Sequence, residues 1–252
     1  ADVAIATNVK FRDITTGRGG MAKDRVFIVR SVPDTSRFRR VEPNPSLKKG
    51  RKHLVGFVGI MGSQDGVDII VEAMHAIVHE QGRSDVQALI VGTGTELQYL
   101  EKLSADRGLT DFITFPGFQS GNTLLTAMST FDIGIIPDPK NVYNDKISMN
   151  KVFEYMTLGI PFVQFDLIEG RKMAGDAALY AGNNCPRSLA MRMLTLLDDE
   201  ELRTRTAAEG VARAKSLLRW EEERGRLLAA YETALGSKVR NAARPLPLPA
   251  HD

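Results

Sequence analysis

The feature that most constrains the fold is a regular alternation of short apolar runs and amphipathic stretches after residue 52. The apolar runs are HLVGFVG (53–59), VQALIVG (86–92), FITFPG (112–117), DIGIIPD (132–138), PFVQFD (161–166) and ALYAG (178–182). The stretches between them carry apolar residues at helical spacing. Because parallel strands need crossover connections, the alternation predicts an α/β fold, a doubly wound parallel sheet with helices on both faces.

Composition and periodicity divide the chain into five segments. Residues 1–32 have the pattern of one β-α-β unit, and residues 33–52 have the prolines, charges and missing periodicity of a linker. The alternating domain occupies residues 53–216, one further helix is predicted within residues 217–236, and residues 237–252 have the composition of a disordered tail. The chain begins at Ala1 directly in an apolar run, so we expect it to be a piece of a larger protein.

Charge and cysteine content exclude several classes of function. The 252 residues hold 33 Lys and Arg against 31 Asp and Glu, so no electrostatic footprint for nucleic acid is present. Cys185 is the one cysteine and only four histidines are present, which argues against a disulfide or a structural zinc site. His75 and His79 lie on the polar stripe of a predicted helix, so we interpret them as surface residues. No apolar run is long enough to span a bilayer; we expect a cytoplasmic protein and leave peripheral membrane attachment of a longer protein open.

Two glycine-containing turns follow the first two predicted strands of the main domain. In GIMGSQDG (59–66), the backbone N–H groups of Gly59, Gly62 and Ser63 are candidates to face a phosphate. The segment lacks the Lys-Ser/Thr of a P-loop and the full dinucleotide fingerprint, so a plain tight turn remains the alternative. Gly92, at the end of the next strand, leaves the same two interpretations open.

The segment DPKNVYNDKISMNKVFEYMTLGIP (138–161) carries the most chemistry. A long polar loop leaves a strand and enters a helix that we expect to be capped near Ser148. The first residues of that helix, Met149, Asn150 and Lys151, offer backbone N–H groups and an ammonium, a combination suited to a diphosphate. Glu154 suits a ribose diol, because a carboxylate accepts two hydroxyl hydrogen bonds. The alternative is a solvated Lys-Glu pair at helical spacing.

The segment NKVFEYMTLGIPFVQFDLIEGRKMAGDAALYAG (150–182) resembles the nucleotide-sugar-binding half of family 4 retaining glycosyltransferases, which have the GT-B fold. The similarity rests on F-E-Y-M-x-L-G-x-P, D-x-x-E-x-R and G-D-A-A-L-Y at the family's spacing. It implies that residues 53–216 bind the donor and that residues 1–32 end a preceding acceptor domain. The helix within 217–236 would then close back onto that acceptor domain.

The resemblance also implies roles for individual residues. Glu154 matches the second glutamate of the family's E-x7-E motif, which binds the donor ribose, and Met149 to Lys151 match the turn that holds the diphosphate. Phe118 and Gln119 follow the strand whose end usually lines the base pocket.

Three positions depart from the family pattern. Lys146 stands where the family usually has its first glutamate, and Ile60 and Asp65 stand where an arginine and a lysine often clamp the diphosphate. We expect Lys146 and Lys151 to supply that charge from another loop and to stabilise the leaving diphosphate.

The function expected from the resemblance is transfer of a sugar, with retention, from a UDP- or GDP-sugar to an unknown acceptor. No cofactor or metal is implied. Acceptor contacts would come from the N-terminal acceptor domain of the full-length protein, so this chain alone is expected to bind nucleotide without transfer. Two alternatives remain: a GT-B sugar-nucleotide epimerase, which needs no acceptor, and a degenerate, non-catalytic module, suggested by Ile60, Asp65 and Lys146.

Overall fold

A computed structural model describes residues 1–35, 38–182 and 184–236 of the chain. Two compact units are present. The first contains residues 1–31 and 219–236, and the second contains the described residues of Val32–Leu218. The residues of the predicted tail, 237–252, lie outside the described part of the chain. Assignment of the five predicted segments to an acceptor and a donor domain stays a prediction.

The first unit combines the start of the described chain with its last helix. Two parallel strands, Ala4–Ala6 (β1) and Val26–Ile28 (β2), are joined by a helix, Val9–Gly17 (α1). The final helix, Trp220–Leu235, belongs to the same unit. Its buried Glu223 accepts a hydrogen bond of 2.8 Å from the backbone N–H of Arg30. A buried carboxylate therefore joins the last helix of this unit to the residues that follow β2.

The second unit contains strands and helices in the order that the sequence predicts. Its strands are His53–Ile60 (β3), Val86–Thr93 (β4), Ile113–Thr114 (β5), Ile133–Ile136 (β6), Phe162–Phe165 (β7) and Ala178–Ala181 (β8). Its helices are Val67–His75 (α2), Leu97–Asp106 (α3), Gly121–Thr130 (α4), Asn150–Leu158 (α5), Ile168–Ala174 (α6), Pro186–Asp198 (α7) and Glu200–Leu217 (α8), and the helix Trp220–Leu235 of the first unit is α9.

The six strands of the second unit form one parallel sheet in the order β5-β4-β3-β6-β7-β8. The central pair is in register from His53 opposite Val86 to Ile60 opposite Thr93. Apolar cores cover both faces of the sheet, since helices pack on each side. One core includes residues of α2, α3 and α7, and the other includes residues of α4, α5 and α8. The arrangement confirms the predicted α/β, doubly wound parallel fold.

A glycine in β6 allows α5 to pack close to the sheet. A Cβ atom at Gly134 would lie 2.6 Å from Cε2 of Tyr155, far inside van der Waals contact. The Tyr155 ring is fully buried, and its hydroxyl donates a hydrogen bond of 3.2 Å to the carbonyl of Gly56. Burial raises the pKa of Tyr155 above its usual range. The ring therefore fixes the distance of α5 from the sheet, and with it the position of the helix's first residues.

The segment predicted as a linker, residues 33–52, belongs to the second unit and contacts its helices. The Arg40 guanidinium donates hydrogen bonds of 2.6 and 2.9 Å to the carbonyls of Leu158 and Gly159, at the end of α5. The backbone N–H of Asn44 donates to the Thr130 hydroxyl at 2.9 Å. These contacts are long-range in sequence, which is why local composition did not reveal them.

The helix before β4 and the edge strand β5 illustrate how the ends of elements differ from the predicted runs. The predicted helix that carries His75 and His79 begins at Val67, because Gly66 before it has a left-handed backbone conformation, and its last turn is a π-helix, Ala76–Glu80. The strand predicted over 112–117 is reduced to Ile113–Thr114, since this edge strand pairs with β4 alone and its polypeptide soon reaches Pro116, which has no N–H to donate.

An ion-pair network joins the start of β4 to the end of α7. Arg83 donates to Asp85 at 2.8 Å and to Asp198 at 2.8 Å. Hydrogen bonding to this guanidinium lowers the pKa of both carboxylates below their usual range.

In the part of the chain that the structure describes, no helix combines the length and apolar character needed to cross a bilayer.

Candidate functional site

The candidate site lies at the edge of the sheet where the strands end. Ligands of open α/β sheets bind at these carboxyl ends, in the loops that lead into helices. The loop after β6 and the first turn of α5 bring the predicted residues of the segment 138–161 to this edge. The site is therefore built from the ends of β3 and β6 and the start of α5.

The N-cap of α5 is Met149, and no side chain caps the helix there. The N-cap lies one residue after Ser148, near which the sequence predicts it, because the chain stays extended through Met149, at φ −81° and ψ 124°, before it turns helical. A methionine side chain offers no strong acceptor to the first N–H groups of the helix. The positive end of the helix dipole at this terminus favours an anion.

Lys151 reaches from the first turn of α5 to the end of β3. Its Nζ lies 3.1 Å from Oδ2 of Asp138 and 4.9 Å from the centre of the Phe57 ring. A Cβ atom at Gly59 would lie 3.6 Å from the same nitrogen. The structure therefore brings two predicted site residues together, Lys151 and Gly59, and places a buried carboxylate beside them.

Asp138 was not among the residues predicted to form the site. It is 6% exposed and follows β6 after Pro137. Burial raises the pKa of this carboxyl, whereas the Lys151 ammonium acts in the opposite direction. Its position in the sequence could have indicated that Asp138 belongs to the site. Asp138 ends the predicted strand DIGIIPD, at the edge of the sheet where ligands bind.

Glu154 lies one turn further along α5 and is half-buried. Burial raises the pKa of its carboxyl, and the nearby Lys151 charge lowers it. A carboxylate in such a position can accept hydroxyl hydrogen bonds while it remains close to a cation. Its placement is compatible with the diol-binding role that the sequence suggests.

The glycine turn after β3 is closed by its own residues. The Gly62 N–H donates to Oδ2 of Asp65 at 3.0 Å, and Ser63 is exposed beside it. At the end of β4, a Cβ atom on Gly92 would lie 1.8 Å from the carbonyl oxygen of Gly59. Gly92 is therefore required by the close approach of the two strands, and Gly59 and Gly92 lie opposite each other in the register. Gly92 thus has a structural reason to be a glycine.

Phe118 and Gln119 lie apart from Lys151, beyond the edge strand β5. Because β4 separates β5 from β3, these two residues stand two strands away from the end of β3. The Gln119 side chain donates to the carbonyl of Pro116 at 3.0 Å, while Phe118 is 72% exposed. An exposed aromatic ring at this edge offers a flat face for stacking.

Lys146 belongs to a short 3-10 turn, Asn144–Lys146, within the loop before α5. The loop is held on both sides: Asp145 accepts a hydrogen bond of 3.0 Å from the Ile168 N–H at the start of α6, and the buried Asn144 donates to the Pro139 carbonyl at 2.8 Å. These bonds order the loop that precedes the predicted anion site. Asn150, the first residue of α5, is exposed.

Two other features lie outside this site. Among residues 1–35, 38–182 and 184–236, no group of three or more His, Cys, Asp or Glu side chains is arranged to hold a metal, although the His75 and His79 rings are 5.0 Å apart. A cavity of about 930 Å³ lies at the opposite end of α5, against Leu158 and Gly159.

Solved structures share this fold. Anabaena Alr3699/HepE in complex with UDP superposes with a TM-score of 0.76 at 16% sequence identity, over 92% of this chain and 64% of that one. S. aureus TarM, in a complex that contains UDP, gives a TM-score of 0.75 at 15% identity, over 91% of this chain and 44% of that one. At such identities the likeness concerns the fold alone.

Curated relatives are similar in sequence to part of this chain. The alpha-D-kanosaminyltransferase of Streptomyces kanamyceticus is 31% identical over 173 residues, which are 67% of this chain and 42% of the relative. The GDP-mannose-dependent alpha-mannosyltransferase of Corynebacterium glutamicum is 29% identical over 131 residues, which are 50% of this chain and 29% of the relative. The chain thus spans less than half the length of these relatives.

The family of glycosyl transferases group 1 matches residues 52–199, from the start of the sheet to the end of α7. This range contains the predicted site residues of β3, the loop after β6 and α5. Because the match covers more than half of the 252 residues, the chain belongs to the glycosyl transferases group 1 family.

Proposed function

We propose that the second unit binds a nucleotide diphosphate sugar and that the protein transfers the glycosyl group with retention. The observation that carries the proposal is the placement of the Lys151 ammonium beside Gly59, at the uncapped start of α5, with Glu154 one turn further along. A cation and a helix N-terminus together provide a site for a diphosphate, and a carboxylate nearby provides one for a ribose diol.

In this proposal the protein does little covalent chemistry. As the anomeric bond breaks, negative charge develops on the leaving diphosphate. Backbone N–H groups of Met149 and Asn150 and the Lys151 ammonium would stabilise that charge without having to reorganise. Lys146, on the ordered loop before α5, is the second cation that we propose for this task. No metal is part of the proposal.

The names of similar proteins support a uridine or guanosine nucleotide. The HepE and TarM structures contain UDP, and the mannosyltransferase relative is GDP-mannose-dependent. We propose a UDP- or GDP-sugar as donor for this chain, with the base near the exposed ring of Phe118 and the neighbouring Gln119. The acceptor stays unknown.

Calorimetric titration of UDP, GDP and ADP into this chain tests the proposal. We expect one of the nucleotides to bind, and Glu154→Ala to weaken it by about 1 to 3 kcal/mol, the contribution of hydrogen bonds to a charged group. Glu101→Ala, at an exposed glutamate of α3, is the matched control and should leave the affinity unchanged. Equal affinities for wild type and Glu154→Ala would contradict the assigned role of Glu154.

We further propose that this chain binds the donor without transferring its sugar, because the relatives that carry the activity are more than twice as long as the matched part. Robust transfer by the chain alone would overturn this point. For a longer protein that does transfer, NMR of the product's anomeric configuration tests retention. An epimerised sugar nucleotide formed without acceptor would instead indicate the epimerase.

A further inference from the structure

We infer that Asp138 is a positioning residue, which holds the Lys151 ammonium at the end of β3 where the donor diphosphate is proposed to bind. The inference rests on the proposed function for its ligand. It concerns a residue outside the predicted site, at a place where the sequence analysis assigned only the end of a strand.

The burial of Asp138 is the first observation. Only 6% of the residue is exposed. Apart from the Lys151 ammonium, whose Nζ lies 3.1 Å away, its Oδ2 has no hydrogen-bond partner within the described part of the chain. A buried carboxylate without compensation is strongly unfavourable, so its persistence here depends on this lysine.

The confinement of Lys151 is the second observation. Its side chain is 14% exposed and lies between the Asp138 carboxylate and the face of the Phe57 ring. A free lysine side chain has four rotatable bonds and loses that freedom when it binds an anion. Because the ion pair has already fixed the ammonium next to Gly59, less conformational entropy remains to be lost when a diphosphate binds.

The other carboxylates near the pair suggest an alternative effect of Asp138, which the experiments must exclude. Asp65 in the turn after β3 and Glu154 on α5 also act on the two paired groups. With these carboxylates nearby, Asp138 would weaken diphosphate binding if its charge mattered more than its geometry. The two effects have opposite signs and can be separated by an isosteric substitution.

The first test is calorimetric titration of UDP and GDP into Asp138→Ala and Asp138→Asn. Positioning predicts that Asp138→Ala weakens binding about tenfold or more, as expected when a charged group loses its oriented partner. Asp138→Asn keeps an oxygen acceptor at the same place and should recover most of the affinity. Asp111→Ala, at an exposed aspartate before β5, is the matched control. Tighter binding by Asp138→Asn than by wild type, or unchanged binding by Asp138→Ala, would overturn the inference.

The second test needs no nucleotide. Brief acetylation with acetic anhydride, followed by peptide mass spectrometry, measures how accessible Lys151 is as a nucleophile. We expect several-fold faster modification of Lys151 in Asp138→Ala than in wild type or Asp138→Asn, with the exposed Lys102 as internal reference. Equal rates would overturn the claim that Asp138 holds the lysine. If wild type binds no nucleotide, the proposed donor site fails, and the labelling still shows whether Asp138 holds Lys151.

Discussion

Replacing Lys151 with methionine should expose the cost of leaving Asp138 buried and unpaired. Methionine keeps the apolar stem against Phe57 and removes only the charge. The Asp138 side chain is 8% exposed and that of Lys151 is 14% exposed, so solvent screens the pair little. Breaking a buried ion pair from one side costs about 3 to 5 kcal/mol. We expect a loss of that size in the free energy of unfolding at pH 8.

The loss of stability caused by Lys151→Met should be smaller at acidic pH. The direction of this change follows from the number of protons that the folded and unfolded chains bind. Burial already raises the pKa of Asp138 above its ordinary value of 3.8, and removal of Lys151 takes away the main effect that lowers it. Between 3.8 and the folded-state pKa, the folded chain binds more protons than the unfolded chain, so stability falls as pH rises through this window. The penalty of Lys151→Met is therefore complete above the folded-state pKa and absent once Asp138 is protonated in both states.

Urea unfolding followed by circular dichroism at pH 8 and at pH 5 measures both effects. The double variant Asp138→Asn, Lys151→Met is the control, because it removes both charges and should recover most of the stability lost at pH 8. A loss below about 1 kcal/mol at pH 8, too small for a broken buried pair, would refute the reasoning. So would a loss that is the same at both values of pH.

Two further predictions concern stability away from the site. Arg83→Ala should lower the free energy of unfolding by about 1 kcal/mol at neutral pH, because its partners are partly exposed. Since Asp85 and Asp198 have a lowered folded-state pKa, this loss should decrease as pH falls through that pKa. A loss that persists at pH 2 in thermal unfolding would count against the prediction. Gly134→Ala should cost about 1 to 3 kcal/mol through overpacking against Tyr155. Gly182→Ala, where a Cβ atom meets nothing within 4 Å, is its control in urea unfolding, and equal effects of the two substitutions would contradict the packing argument.

The parallel sheet could be predicted from the sequence because its signal is local. Buried parallel strands are mostly apolar along their length, as in β3 and β4, and the helices between them show their own periodicity. The position of Lys151 and Glu154 on one helix at the carboxyl edge follows from the same alternation. Once strand and helix order were fixed, topology placed the start of α5 at the site.

Contacts between distant segments could not be predicted in this way. The pairing of Asp138 with Lys151 depends on how far the loop after β6 turns back toward the sheet. The packing of Arg40 against the end of α5 joins residues more than a hundred positions apart. The π-helical turn at 76–80 and the helix start after Met149 reflect backbone geometry at single residues. Composition and periodicity carry no information about any of these.

Hydrogen–deuterium exchange of this chain, with and without UDP or GDP, tests the central claim most directly. The account predicts that the nucleotide which binds slows exchange in the peptides that contain residues 59–63 and 149–154, because the proposed diphosphate and ribose sites lie against these two segments. Protection around Arg40 and Leu158 instead, at the cavity at the opposite end of α5, would contradict it. Unchanged exchange throughout at saturating nucleotide would equally contradict a donor site in the second unit.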